Sequence, residues 1–239
     1  MADAATLVAQ VRREVEPTEV GITQHPYIET VSSGRATIEG LRALPGHQYH
    51  VMQSMIRSSE RLVERFGDTE NGPFFRRRLE GAKAAAEELP DFAKALGMSE
   101  ADLRSFEPRR GGFTYATYFA WLAEQGTAAE VAIVSLVNLP VWGAACGRLS
   151  RGLYAFYGLG PKDTRVLSRF AAMPTSSDEM QRIVQDGLDE GVAPKALARA
   201  ARLVEEYEKE FWDALAEVDD AYRAWPPAAQ AAQVEHAAA

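Results

Sequence analysis

One cysteine, Cys146, is all the thiol chemistry that this 239-residue chain carries. No intrachain disulfide can form, and a reducing, cytoplasmic setting is expected. Long apolar runs are also missing. The longest, Val131 to Leu139, is interrupted by Ser135 and Asn138 and falls well short of the ~20 residues of a membrane span, so no membrane partner is expected. Asp3, Glu14 and Glu16 occupy the stretch where a secretory signal would be apolar. Positive charge is in deficit, 26 Lys and Arg against 34 Asp and Glu, for a formal net charge of −8. Such a field repels phosphate backbones and argues against nucleic acid as a partner. The short basic runs Arg76-Arg77-Arg78 and Arg109-Arg110 stand among acids and read as solvated faces. No Gly-x-Ser-x-Gly elbow is present, and Gly111-Gly112 neither follows a strand nor leads into the Lys-Ser/Thr of a phosphate loop.

What is present is a globular mixture, 46% hydrophobic and 25% charged, with helical periodicity throughout. Val8, Val11 and Val15 form one stripe, predicting a helix over Ala4 to Glu16. A second starts near His25-Pro26-Tyr27 and ends at Gly34, a left-handed terminator. Met52, Met55, Ile56, Ser59, Leu62, Val63 and Phe66 keep one face of a long helix from Arg35 to Phe66, with Pro45-Gly46 as a kink or break. Helices are expected at Phe74–Leu96, after Ser99 as a cap, at Phe113–Gln125, and over the mostly apolar Thr127–Gly158 with a kink at Pro140. Three more follow at Asp163–Met173, Ser176–Glu190 and Pro194–Trp225. No segment alternates with period two, so the fold class is all-α, a compact bundle. The stretch 226–239 lacks apolar content and reads as a flexible tail.

Few residues invite chemistry. His47 and His50 share a helix face, but the Glu-x-x-His pairs of a di-iron bundle are absent, so no metal is assigned. They read as partly buried histidines near a polar pocket. Cys146 sits on an apolar helix and reads as packing. Tyr115, Tyr118 and Trp121 are spaced as a helical stripe, and Glu208 is set between aromatics in Tyr207-Glu208-Lys209-Glu210-Phe211-Trp212. If buried there, Glu208 has a raised pKa and can act as a general acid or base.

Taken together, the segments resemble the TenA/thiaminase-II and PQQ-synthase family over about Gly21 to Leu215. The matching stretches are His25-Pro26-Tyr27 with Gly34-Arg35-Ala36-Thr37, His47-Gln48-Tyr49, Phe113-Thr114-Tyr115-Ala116-Thr117-Tyr118, Leu139-Pro140-Val141-Trp142-Gly143, and the closing Glu208-containing run. The resemblance implies a heme-oxygenase-like helical domain over 21–225, preceded by a helical extension over 1–20. It also implies a homo-oligomer and a small, heteroaromatic ligand in a central pocket. By the same resemblance Glu208 is the catalytic acid/base, Tyr115 a stacking wall, Gln48 and Tyr49 polar contacts, and Val141 the pocket residue where thiaminases carry their nucleophilic cysteine. Valine cannot supply that nucleophile, and Gln48 replaces the ring-binding aspartate, so thiaminase chemistry is not expected. No cofactor is assigned. Two other readings of the same scaffold are a di-iron oxidase, for which Met173 and Met180 stand where histidines are wanted, and a non-catalytic binding protein. His25, near the position of a heme-oxygenase proximal histidine, reads as a helix start.

Overall fold

Helix ends in the computed structural model, which describes residues 3–173 and 178–224, follow local chemistry. Thr127 and Ser99 each close a capping box, with Glu130 and Asp102 returning the bond to the cap backbone. His25 caps the next helix through its ring Nδ1, which accepts from the Tyr27 amide, so the His-Pro pair does start a helix. Gly34 and Gly97 stop helices with φ of +73° and +74°, where a Cβ is strained. The helices are α1 (Ala4–Thr23), α2 (Pro26–Ser32), α3 (Ile38–Phe66), α4 (Gly72–Ala95), α5 (Glu100–Ser105), α6 (Gly111–Gln125), α7 (Ala128–Phe156), α8 (Arg165–Ala171), α9 (Asp178–Asp189) and α10 (Pro194–Arg223). Among the described residues there is no strand. The expected flexible tail lies outside the described residues.

Two boundaries differ notably from expectation. α1 continues through Pro17 to Thr23, because a proline whose ring faces outward costs a helix one bond rather than its course. Its Leu7, Val8, Val11 and Val15 are buried against α7, α9 and α10. Pro45 and Pro140 lie within α3 and α7, so neither breaks its helix. Gly111 and Gly112 belong to α6, where they allow close approach: a Cβ on Gly112 would lie 2.2 Å from His47 Nδ1.

α7 is the axis. It is long and apolar enough to cross a membrane by length and composition, yet its apolar window is 78% buried inside the protein. α1, α2, α8, α9 and α10 pack around it. Two hydrophobic clusters result. One joins α1, α9 and the first halves of α7 and α10. The other, richer in aromatics, joins α2, α3, α4, α8 and the second halves of α7 and α10. Met55 and Tyr115 touch both clusters, and the principal cavity opens between them.

Candidate functional site

The cavity holds about 340 Å³, enough for a molecule of one or two rings. Its walls are mostly apolar: Val51, Met52 and Met55 from α3, Phe74 from α4, Phe119 from α6, and Trp142, Phe170 and Phe211 around the far side. Trp142 organises the aromatic wall. Its ring meets Phe170 and Phe211 edge-on, both at 5.7 Å, and stacks on Trp212 at 5.1 Å.

Polar groups converge from α6, α7 and α10. Asn138 Nδ2 donates to Glu208 Oε2 at 2.5 Å and, at 3.4 Å, to Glu205 Oε1. With the amide nitrogen turned toward the acids, Asn138 Oδ1 faces the Tyr115 hydroxyl and accepts from it at 2.6 Å. The Trp212 indole N–H donates to Glu208 Oε1 at 3.0 Å. Glu205 Oε2 has no partner. Both acids are buried, with no cation against either, and burial therefore lifts both carboxyls well above the ordinary range; at Glu205 the charge of Glu208 lifts it further. The bonds from Trp212 and Asn138 offset only part of that rise at Glu208. A pair in this state keeps a proton at neutral pH, and Glu208 is the member that reaches the cavity. Burial, and then the Glu208 charge, also raise the Tyr115 hydroxyl.

The α4 side of the cavity is cationic. Arg77 reaches Glu179 on α9 in an ion pair. Arg78 lies with its guanidinium 4.9 Å from the centre of the Phe119 ring and donates from Nη1 to Ser135 Oγ at 3.1 Å.

The expected site residues separate accordingly. Gln48, Tyr115 and Glu208 all line the cavity. Tyr49 does not: consecutive residues on a helix diverge by about 100°, and Tyr49 packs toward Ala93, Met98 and Leu103 while Gln48 faces inward. Val141 fails for the same reason. It lies in a separate groove between α1 and α7, with Arg12, Glu16 and Val20, while its neighbour Trp142 takes the cavity. The helix phase is thus opposite to one with Val141 inward. Cys146, one turn after Trp142, is fully buried, and burial raises its thiol far above the ordinary range. Tyr118 packs on Tyr207 and Trp121 is 48% exposed, so the tyrosine stripe drifts away from the cavity after Tyr115.

Among the described residues, His25, His47 and His50 do not line the cavity. His47 is fully buried against Phe106 and Phe211 with neither ring nitrogen bonded, and burial lowers its pKa to about 4. His50 donates from Nε2 to the Phe106 carbonyl. Met173 and Met180 both present thioethers to the cavity. Asn138, Glu205, Arg78 and Trp142 were not anticipated. Glu205-x-x-Glu208 spacing and the lone Asn138 in an apolar run were the available signals.

No curated protein matches the chain. Solved structures do. A TenA homologue from Pseudomonas syringae superposes with a TM-score of 0.75 at 12% identity, covering 87% of this chain and 92% of that one. A TenA homologue from Pyrococcus furiosus gives 0.70 at 15% identity, covering 87% and 99%. A domain of unknown function with a heme oxygenase-like fold from Shewanella denitrificans gives 0.65 at 16% identity, covering 93% and 94%. At these identities the likeness is one of fold, and the fold is heme-oxygenase-like. The sequence itself matches the TENA/THI-4/PQQC family over residues 12–217. The chain belongs to that family.

Proposed function

We propose that the protein binds a small, flat heteroaromatic molecule in this cavity and transforms it by proton transfer through Glu208. The observation that carries the reading is the buried Glu205–Glu208 pair, whose carboxyls burial raises and of which Glu208 lines the cavity. A protonated Glu208 donates to a ring nitrogen, and its ionised form accepts from an exocyclic amine or an activated water. Glu205 stays out of contact with ligand and serves as the second carboxyl that keeps the pair from ionising fully. Trp212 and Asn138 hold the Glu208 carboxyl in one orientation. Trp142 and Phe211 supply faces on which a ring stacks.

Thiolate chemistry is not part of this reading. Val141 lies outside the cavity, and the buried Cys146 keeps its proton. The test is binding and turnover of a panel of amino-pyrimidines, pyridines and their fused analogues by the wild-type protein and by Glu208→Gln. Members that bind the wild type and lose affinity or turnover in the variant support the reading. A panel bound equally by both proteins would refute it.

A further inference from the structure

Arg78 is half-buried at the cavity wall and has no counter-ion among the described residues. Its neighbours in the same run each have an acid: Arg76 reaches Asp68 and Arg77 reaches Glu179. Among the described residues, Arg78 has no carboxylate within ion-pair distance. Its polar partners reduce to one hydroxyl, Ser135 Oγ, which is bonded through Nη1. Nε is buried with no acceptor, and the one hydrogen bond of the group among the described residues is that of Nη1, which leaves Nη2 free. The edge of the guanidinium formed by Nε and Nη2 is therefore unused, and this is the edge that takes a planar carboxylate with two parallel bonds. The group lines the cavity, and so does Ser59, whose buried Oγ also lacks a partner. An arginine stays charged even when half-buried, and a charge facing mostly apolar walls without a partner is unfavourable.

We propose that Arg78 is a ligand-binding residue that receives a carboxylate, so that the molecule accepted by the cavity is a small aromatic or heteroaromatic carboxylic acid. Its anionic end lies against Arg78, with Ser59 as a further donor, and its ring reaches toward Glu208. Carboxylate is favoured over phosphate because one cation and mostly apolar walls balance a single charge, not two. The orientation relative to Glu208 rests on the function proposed above; the anion site itself does not.

The experiment is calorimetric titration at neutral pH with matched acids and amides, nicotinate against nicotinamide and benzoate against benzamide, with phenyl phosphate as a third arm. In at least one pair the acid is expected to bind the wild type about tenfold or more tightly than its amide. That preference is expected to vanish in Arg78→Met and to shrink in Arg78→Lys, which keeps the charge but not the fork. Without ligand, Arg78→Met is expected to melt no lower than the wild type, since it removes an unpaired, half-buried charge. If Arg78→Met does not fold, Arg78→Lys decides the matter. The proposal is overturned if no acid outbinds its amide, if the preference survives in Arg78→Met or is undiminished in Arg78→Lys, or if phenyl phosphate outbinds benzoate. Glu208→Gln separates the two proposals. Retained acid preference with unchanged ring affinity would leave the anion site standing while removing the proton-transfer reading.

Discussion

α10 buries carboxylates at two places about three turns apart, and they are opposite in kind. Asp219 is 1% exposed and has two donors and a cation against it, although its Oδ2 makes no hydrogen bond. Its Oδ1 accepts from the Thr37 amide at 2.7 Å and from the Thr37 hydroxyl at 2.8 Å, and Arg223 lies 3.1 Å from Oδ2. It thereby clamps the residue that caps α3, and Gly40 leaves the room: a Cβ there would lie 2.3 Å from Oδ1. Glu205 and Glu208 are as deeply buried but face only an amide and an indole, with no cation against them. Burial alone therefore does not make an acid reactive. What matters is whether its neighbours stabilise the charge, as at Asp219, or leave the carboxyl to hold its proton.

The largest effect that would sharpen this contrast is structural. Asp219→Ala is expected to lose about 2–4 kcal/mol in urea unfolding, because it strands the Thr37 donors at the start of α3. A loss below about 1 kcal/mol would erase the distinction between the two sites. Glu208→Gln should do the reverse, costing about 10²-fold in turnover of any ligand found while the unfolding midpoint holds or rises.

The pH profile comes next. Glu205 and Glu208 bind their protons more tightly folded than unfolded. Their contribution to stability is therefore fully present below the unfolded value of about 4.3 and is lost as pH rises through neutral toward the raised folded values. Glu205→Gln should flatten that decline, and an unchanged slope would show that the pair ionises freely. The smallest effect is expected at Cys146→Ser: turnover within about twofold of wild type, with a stability loss of about 1 kcal/mol from a buried hydroxyl. Loss of turnover with that sulfur would restore a thiolate mechanism.

Much of the fold was legible, because helical periodicity and caps are local. Thr127, Ser99 and Gly34 announce helix ends through chemistry confined to a few residues. The site was legible only where a residue's surroundings along the chain resemble its surroundings in space. Glu208 qualified: of the aromatics near it in sequence, Phe211 walls the cavity and Trp212 bonds its carboxyl. The errors share one geometric origin. Gln48-Tyr49, Val141-Trp142 and Arg76-Arg77-Arg78 are runs of neighbours, and a helix turns neighbours apart by about 100°. One member of each run faces inward, and composition does not say which. Three successive arginines cannot all face solvent on a helix whose other side is buried, so Arg78 was hidden by the company of Arg76 and Arg77.

The stack of Trp142 on Trp212 has an optical consequence. Trp142 borders the cavity, and the Trp212 indole is bonded to the Glu208 carboxyl. Protonation of that carboxyl and the arrival of a ring beside Trp142 both change the electronic surroundings of one coupled chromophore pair. Near-ultraviolet circular dichroism, which arises from such fixed aromatic pairs, should follow the filling of the cavity and the titration of its acid without any added label. Trp121, on the surface and apart from the stack, serves as the internal background.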